Sequence, residues 1–243
     1  MNDPLPILFV HGAWHGAWCW AALQAELDRR GIASYAVDLP GHGASTLPLG
    51  DLHADAAFVA ATITALDRDL VLVGHSYGGA VIGEACAETD HVRHLVYLTA
   101  FVLDTGESVM GLLMSLPRAD VALGAAMRQR EDGTSVLDPA AAAPALYGNC
   151  PPDVAAAAVQ RLSPQPGATM SETTTAAGWA TIPSTYVRCT DDRAVHIEHQ
   201  TIMASRCDAV HTLHTDHSPF ISAVVDTADI LEQVARGSAT SDS

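Results

Sequence analysis

The chain of 243 residues contains no lysine, and all twelve of its basic residues are arginine. Without a lysine amine the chain cannot form a Schiff base, which also excludes pyridoxal-phosphate chemistry. Acidic residues outnumber basic residues by 28 to twelve, and the formal net charge is −16. A negative charge of this size disfavours nucleic acid and anionic membrane surfaces as partners.

The sequence also lacks a long apolar run and a paired cysteine motif. A membrane-spanning helix needs about 18 consecutive apolar residues, and no such run is present. The five cysteines are scattered without a C-x-x-C pair, so we expect neither a disulfide framework nor a cysteine–zinc site. The first residues, "MNDPLPILFV", lack the basic segment of a secretory leader. We therefore expect a cytoplasmic protein that needs no cofactor.

Short apolar runs alternate with longer helix-like stretches through most of the chain. We predict strands at 5–10, 32–37, 69–74, 93–100, 184–190 and 209–214. We predict helices at 17–30, 52–67, 78–88, 196–206 and 219–236. The strands are too apolar to face water on one side, so the alternation predicts a parallel sheet covered by helices.

Residues 104–182 break this alternation, because they are rich in proline, alanine and methionine and contain no convincing strand. An insertion of this length in an α/β domain is more often a lid than a linker. We predict a helical cap over the strand ends, within a single domain whose core spans about 5–103 and 183–236. The tail "GSATSDS", residues 237–243, is predicted to be disordered.

The stretch "VGHSYGGA" places Ser76 between glycines, at the junction of a predicted strand and a predicted helix. This is G-x-S-x-G in the strand–turn–helix context that a nucleophile of this type requires. Glycines allow close backbone approach, so the serine can stand exposed in a strained turn. A glycine-rich packing turn is the alternative. We predict that Ser76 is a nucleophile and that the Tyr77 amide stabilises a developing oxyanion.

A serine nucleophile needs a base and an acid that orients the base. With this motif the acid and then the histidine follow the serine along the chain. Asp191 and Asp192 end one predicted strand, and His217 lies in the loop after the next strand. The carboxyl ends of parallel strands are where open α/β sheets place their sites. The residues alone do not separate the two acids, and a helix-capping role is the alternative for His217.

A metal site is a further alternative for the histidines at 211, 214 and 217. A spacing of three residues suits one face of a helix, whereas this segment is a predicted strand followed by a loop. The H-x-H-x-D-H pattern of dinuclear zinc hydrolases is also missing. We therefore expect no metal.

The loop after the first predicted strand, "VHGAWHGAW", is expected to supply the second oxyanion donor. Gly12 lets the backbone turn inward, and the Ala13 amide is the candidate to pair with that of Tyr77. We name Gly12 and His15 as candidate substrate contacts, although a histidine bonded to nearby backbone is an equal alternative for His15. His42, in the turn "DLPGHGAS", is expected to be structural.

Together, "FVHGAWHGAW", "DLPGHGAS", "GHSYGGAVI", "CTDDRAV" and "DHSPF" resemble the α/β-hydrolase superfamily. They are most similar to the branch that holds plant methylesterases, hydroxynitrile lyases and bacterial esterase relatives. The resemblance implies an α/β-hydrolase fold: a mostly parallel, eight-stranded sheet flanked by helices, with a helical cap. It also implies a triad of Ser76, Asp192 and His217, because the branch pattern C-T-x-D-[K/R] places the carboxylate at Asp192.

The same resemblance also helps to distinguish ester hydrolysis from cyanohydrin cleavage, since the branch contains enzymes of both kinds. The lyases of the branch place a threonine after the first-strand histidine and a lysine after the catalytic histidine. Here these positions hold Gly12 and Ser218, so we expect a carboxylic-ester hydrolase. Hydroxynitrile lyase-like or other carbon–carbon cleavage with the same triad is the alternative, and a ligand receptor without catalysis is a third.

The cap stretch "SVMGLLMSLP" is apolar, and its Met110 and Met114 suggest a deformable hydrophobic pocket. Packing of the cap on the core is an equal alternative for these two methionines. No arginine cluster indicates an anionic substrate. We expect small to medium, uncharged or aromatic esters as substrates. We expect no membrane partner, and a homodimer is possible.

Overall fold

The computed structural model describes residues 3–237, so the predicted disordered tail lies outside the described residues except for Gly237. Within them the chain forms nine strands: β1 (Ile7–Val10), β2 (Ser34–Val37), β3 (Leu70–His75), β4 (Val92–Leu98), β5 (Met127–Gln129), β6 (Thr134–Leu137), β7 (Gln165–Pro166), β8 (Ser184–Cys189) and β9 (Ala209–Leu213). Six of them form one sheet in the order β2-β1-β3-β4-β8-β9, and every neighbouring pair is parallel.

The predicted strands of the core are therefore confirmed, but the count of eight is wrong. The number eight is implied by the family resemblance alone, whereas the apolar pattern of the sequence predicts six core strands. Ahead of β1 the described chain contains Pro4 and Pro6 and forms no strand, which agrees with the missing amide donor of proline.

The helices are α1 (Ala21–Arg29), α2 (Leu52–Leu66), α3 (Gly78–Ala85), α4 (Val109–Ser115), α5 (Ala122–Ala126), α6 (Pro139–Leu146), α7 (Pro152–Val159), α8 (Ala168–Ser171), α9 (Ile197–Ala204), α10 (Pro219–Ser222) and α11 (Val224–Ala235). Short 3₁₀ turns at Ala17–Trp20 and Cys86–Glu88 extend the helical segments next to α1 and α3. In the described part of the chain, no helix is long and apolar enough to cross a membrane.

The sheet buries both of its faces because successive side chains of a strand point to opposite sides. Ile7 and Phe9 of β1 pack with residues of α1 and α11, whereas Leu8 and Val10 pack with residues of α2 and α3. This arrangement explains why the strands are almost wholly apolar, as expected for a parallel sheet covered on both sides.

The cap, residues 104–182, contains α4 to α8 and also the three short strands β5, β6 and β7. These strands pair antiparallel in a separate sheet. The predicted helices of the cap are therefore present, but the expectation that this interval contains no strand is wrong. The strands are only two to four residues long, which is too short to show an alternating pattern in the sequence.

Candidate active site

Ser76 lies in the tight turn between β3 and α3, with a left-handed backbone φ of 50°. Gly74 makes this turn possible, because a Cβ there would lie 2.5 Å from the carbonyl oxygen of Gly78, and Gly78 lets α3 begin against β1, because a Cβ there would lie 2.6 Å from the carbonyl oxygen of Val10. Gly12 approaches from the other side, where a Cβ would lie 2.9 Å from Ser76 Cβ. Gly12 therefore brings the backbone after β1 against the serine, and Ser76 itself keeps 8% of its surface exposed.

The backbone is also left-handed at one residue after each of the two strands that flank β3. Trp14 follows β1 with φ 63°, and Thr99 follows β4 with φ 41°. A non-glycine residue in this region costs about 1–3 kcal/mol and persists only where the surroundings determine it. Three adjacent strands thus end in strained residues at the same edge of the sheet.

Asp192, which follows β8, is the acid that contacts the histidine: His217 Nδ1 is 2.7 Å from Asp192 Oδ2. Both side chains are almost fully buried. The other carboxylate oxygen accepts the Ala194 and Val195 amides at 2.7 and 2.8 Å. Asp191 is exposed, and its Oδ2 accepts from the Asn149 amide instead. The geometry therefore separates the two acids that the sequence left open.

Two more side chains fix Asp192 and were missed in the sequence. Thr99 Oγ1–H donates to Asp192 Oδ2 at 2.5 Å, and Gln200 Nε2–H donates to the same oxygen at 3.2 Å. Thr99 could have been found, because it follows a core strand just as Ser76 follows β3. Gln200 gave no such signal, since it lies inside α9.

His217 is held by its backbone as well as by its ring. The fully buried His75 donates Nε2–H to the His217 carbonyl oxygen at 2.8 Å, and the two rings are 4.6 Å apart. Because His217 Nδ1–H donates to Asp192, its Nε2 is left as the acceptor. Among the described residues no hydrogen bond joins Ser76 Oγ to this nitrogen. The ring nevertheless lies beside the residue that precedes Ser76.

The loop after β1, residues 11–16 (called the β1 loop below), carries the Ala13 amide. Gly12 O accepts from His11 Nδ1–H at 2.8 Å and from the His15 amide at 3.3 Å. In a planar trans peptide the N–H lies opposite the carbonyl oxygen. The Ala13 N–H therefore points away from these two histidines, and Ala13 lines the same cavity as Ser76.

His15 does not line that cavity. Its Nδ1–H donates to Ala13 O at 2.9 Å, and its Nε2 accepts from Tyr147 O–H at 2.8 Å. Burial lowers the pKa of His15 to about 4, and burial together with the nearby His42 lowers that of His11 to about 3. Both rings are therefore neutral at pH 7, and the structure favours the reading of His15 as a histidine bonded to nearby backbone.

A cavity of about 170 Å³ lies between the core and the cap, with Ser76 in its wall. The rest of its wall is uncharged and mostly apolar: Ala13, Trp14, Phe101, Val109, Met110, Leu113, Leu123, Met127, Gln129, Ser135, Gly167, Met170, Ala194 and Val195. Two wider clefts, near Cys150 and near Glu84, are not lined by Ser76. The cavity beside Ser76 can therefore hold a substrate for this serine.

Some of the candidate substrate contacts line the cavity beside Ser76, and others do not. Met110 lines the cavity, as expected. Met114, one helical turn further along α4, is 80% exposed and lies outside the cavity wall. Gly12 is packed under Ser76 and is also absent from the wall. The sequence could not show which side of α4 faces inward, because both methionines lie in one apolar stretch.

The residues from 7 to 230 match the model of the alpha/beta hydrolase family. A fungal protein named alpha/beta hydrolase nvfD, from Aspergillus novofumigatus, is 35% identical over 202 residues, which is 78% of either chain. The chain therefore belongs to the alpha/beta hydrolase family.

A methylesterase is among its relatives in sequence, and a hydrolase is among those in structure. The pFDCC methylesterase MES16 of Arabidopsis thaliana is 40% identical over 106 residues, 41% of this chain and 40% of its own length. A solved structure of the pyrethroid hydrolase PytH superposes with a TM-score of 0.82 at 25% identity, covering 97% of this chain and 99% of that one. The match to the methylesterase thus covers less than half of either protein, whereas the structural match extends over nearly all of both.

Proposed function

We propose that this protein is a carboxylic-ester hydrolase in which Ser76 is the nucleophile, His217 the general base and Asp192 the acid that orients the base. The observation that carries the proposal is the hydrogen bond from His217 Nδ1 to the buried Asp192, on strand ends next to Ser76. This bond fixes the imidazole tautomer whose Nε2 can accept a proton. The methylesterase and the pyrethroid hydrolase among the relatives support the same reaction.

In the proposed reaction Ser76 Oγ attacks the ester carbonyl carbon, and His217 Nε2 takes the serine proton. The resulting oxyanion accepts from the Ala13 and Tyr77 amides, each of which lowers the barrier by about 3 kcal/mol. The intermediate then collapses, and the imidazolium gives its proton to the departing alcohol. Water then attacks the carbonyl carbon of the acyl-serine while His217 takes one of its protons. The bond from this carbon to Ser76 Oγ breaks, the imidazolium returns the proton to Oγ, and the carboxylic acid leaves.

The substrate that we propose is a small to medium, uncharged ester with an apolar or aromatic group. The cavity wall contains no charged side chain, so an anionic substrate would be desolvated there without a partner. The net charge of −16 disfavours anions further. Three methionines, Met110, Met127 and Met170, line the cavity and can adapt to different apolar shapes.

The lyase alternative is not favoured. The residue after His217 is Ser218, which is fully buried, and its amide donates to Asp216 at 2.9 Å. None of the residues that line the cavity is a cation, whereas departing cyanide would need one. A cytoplasmic location and a homodimer stay predictions.

Labelling with a fluorophosphonate probe and hydrolysis of p-nitrophenyl esters test the proposal together. The unsubstituted protein should bind one probe at Ser76, and Ser76→Ala should lose the label and lower kcat by about 10⁴–10⁶. Circular dichroism of Ser76→Ala should match that of the unsubstituted protein. If the folded Ser76→Ala variant kept most of the hydrolysis, Ser76 would not be the nucleophile.

A further inference from the structure

The polar groups of Trp14 are bonded to the cap. Its amide N–H donates to Gln165 Oε1 at 3.1 Å, and its carbonyl oxygen accepts from the Ser163 amide at 2.8 Å. Its indole Nε1–H is shared between the carbonyl and hydroxyl oxygens of Ser135, both at 3.2 Å. The three cap residues lie on or directly before β6 and β7, so the small cap sheet holds a residue that belongs to the core by sequence.

Gln165 is itself fixed. Its side chain is buried, with 1% of the residue exposed, and its Oε1 lies 2.9 Å from His42 Nε2. Its Nε2–H donates to Thr169 Oγ1 at 2.9 Å. Thr169 Oγ1–H donates to the Pro166 carbonyl oxygen at 2.7 Å, so Thr169 Oγ1 is the acceptor for the Gln165 nitrogen, and this orientation presents the Gln165 oxygen to the Trp14 amide.

The peptide group between Ala13 and Trp14 is consequently held at both ends. His15 Nδ1–H binds its oxygen, and Gln165 Oε1 binds its N–H. The His15 ring is in turn bonded to Tyr147, another cap residue. Trp14 also has a φ of 63°, a conformation that needs such surroundings to persist.

We propose that the cap positions the β1 loop through Gln165, and that Gln165 is therefore a positioning residue for ester hydrolysis. The inference rests on the proposed function, because the Ala13 amide, which lies in the peptide group just before the held one, is the proposed oxyanion donor. Gln165 acts through the Trp14 backbone. The cap thus contributes to the rate of the reaction in addition to enclosing the substrate.

The expected effect follows from the sensitivity of an oxyanion donor to its placement. Loss of one such donor costs about 10²–10³ in kcat, and a misplacement of about 1 Å can cost about 10². Gln165→Leu leaves the Ala13 amide in the chain but removes the anchor of the next residue. We therefore expect kcat to fall about 10- to 100-fold.

The experiment compares Gln165→Leu with Gln160→Leu, the same substitution at an exposed cap position at the end of α7. With p-nitrophenyl acetate, Gln165→Leu should lower kcat and leave KM within about twofold, and Gln160→Leu should change neither. Inhibition by phenyl trifluoromethyl ketone, whose serine adduct carries an oxyanion, should weaken by the same factor as kcat. A rise in KM with unchanged kcat would instead identify Gln165 as a wall residue only and overturn the inference.

Hydrogen exchange on the unsubstituted protein gives an answer that needs neither a folded variant nor esterase activity. If the cap holds the loop, the Trp14 amide should exchange with the β6 amides, at the same free energy of opening. Exchange of Trp14 well ahead of β6, or together with β1 only, would overturn the inference. Failure of the unsubstituted protein to cleave any p-nitrophenyl ester would overturn the proposed function, and the exchange result would still decide the role of the cap.

Discussion

In the core, the proposed reacting groups stand on the ends of buried parallel strands: Ser76 after β3, Asp192 after β8 and His217 after β9. In the cap, helices of four to eight residues and a three-stranded sheet supply cavity walls and anchors. The parallel sheet fixes where its strand ends meet, whereas the cap depends on individual side chains such as Gln165. The comparison shows that the two parts are positioned in different ways. Sheet topology positions the proposed reacting groups, whereas individual side-chain contacts position the cap residues that line the cavity.

The largest effect that the comparison predicts concerns the two neighbouring acids of the core. Asp192→Asn should lower kcat by about 10⁴, because the amide no longer holds His217 in the required tautomer. Asp191→Asn, its matched control, should stay within about threefold, since Asp191 is exposed and contacts Asn149. Steady-state hydrolysis of p-nitrophenyl acetate measures both variants. Equal losses in the two variants would contradict the assignment.

A smaller effect is expected in the cap wall, where substitution should change the choice of ester. Met127→Ala enlarges the cavity, so the ratio of kcat/KM for p-nitrophenyl hexanoate over acetate should rise about 10-fold, as expected for a few buried methylenes. Met114→Ala is the control, because this side chain is 80% exposed. An equal loss of kcat/KM for both esters in Met127→Ala would contradict a role of the cap wall in the choice of ester.

The third prediction sharpens the comparison inside the core, at a carboxyl group that is bonded to the side chain of Tyr77. Asp55 on α2 is buried, and its Oδ2 accepts from the Tyr77 hydroxyl at 2.8 Å. Burial raises its pKa from 3.8 to about 7, so the folded protein binds a proton that the unfolded chain has released. Stability should therefore fall as the pH rises from about 4 to about 7, and the loss should persist above pH 7.

Asp55→Asn removes this penalty. At pH 8 the variant should be more stable by about 1–4 kcal/mol, since one pKa unit corresponds to about 1.4 kcal/mol, and the gain should vanish near pH 4. Thermal unfolding across this pH range measures the difference. Asp28→Asn, at an exposed position of α1, should show no such dependence. A constant difference between Asp55→Asn and the unsubstituted protein would contradict the linkage.

Much of the core could be predicted because its signals are local. The apolar run before Ser76 and the glycines around it specify strand, turn and helix together, and the structure contains all three. The position of Asp192 relative to Asp191 needed a family pattern, since adjacent acids have the same local signal. The hydrogen bond from Thr99 to Asp192 joins residues 93 positions apart, and no pattern within one segment reports such a contact.

The cap was predicted less well for a related reason. Its strands are too short to show periodicity, and its sheet forms because β6 pairs with β5 and β7 at once. The two methionines of α4 have the same chemistry, so only the packed structure distinguishes Met110 from Met114. Contacts such as Gln165 with Trp14, 151 residues apart, depend on the docking of the cap as a whole.

Met110 has a consequence for the enclosure of the serine. It is both part of the cavity wall and 45% exposed, so this one flexible side chain borders the cavity and bulk water at the same time. Trp14, another residue of the wall, is bonded to Gln165 and Ser135 of the cap. Rotation of the Met110 side chain alone would therefore change the width of the cavity beside α4 without breaking those bonds.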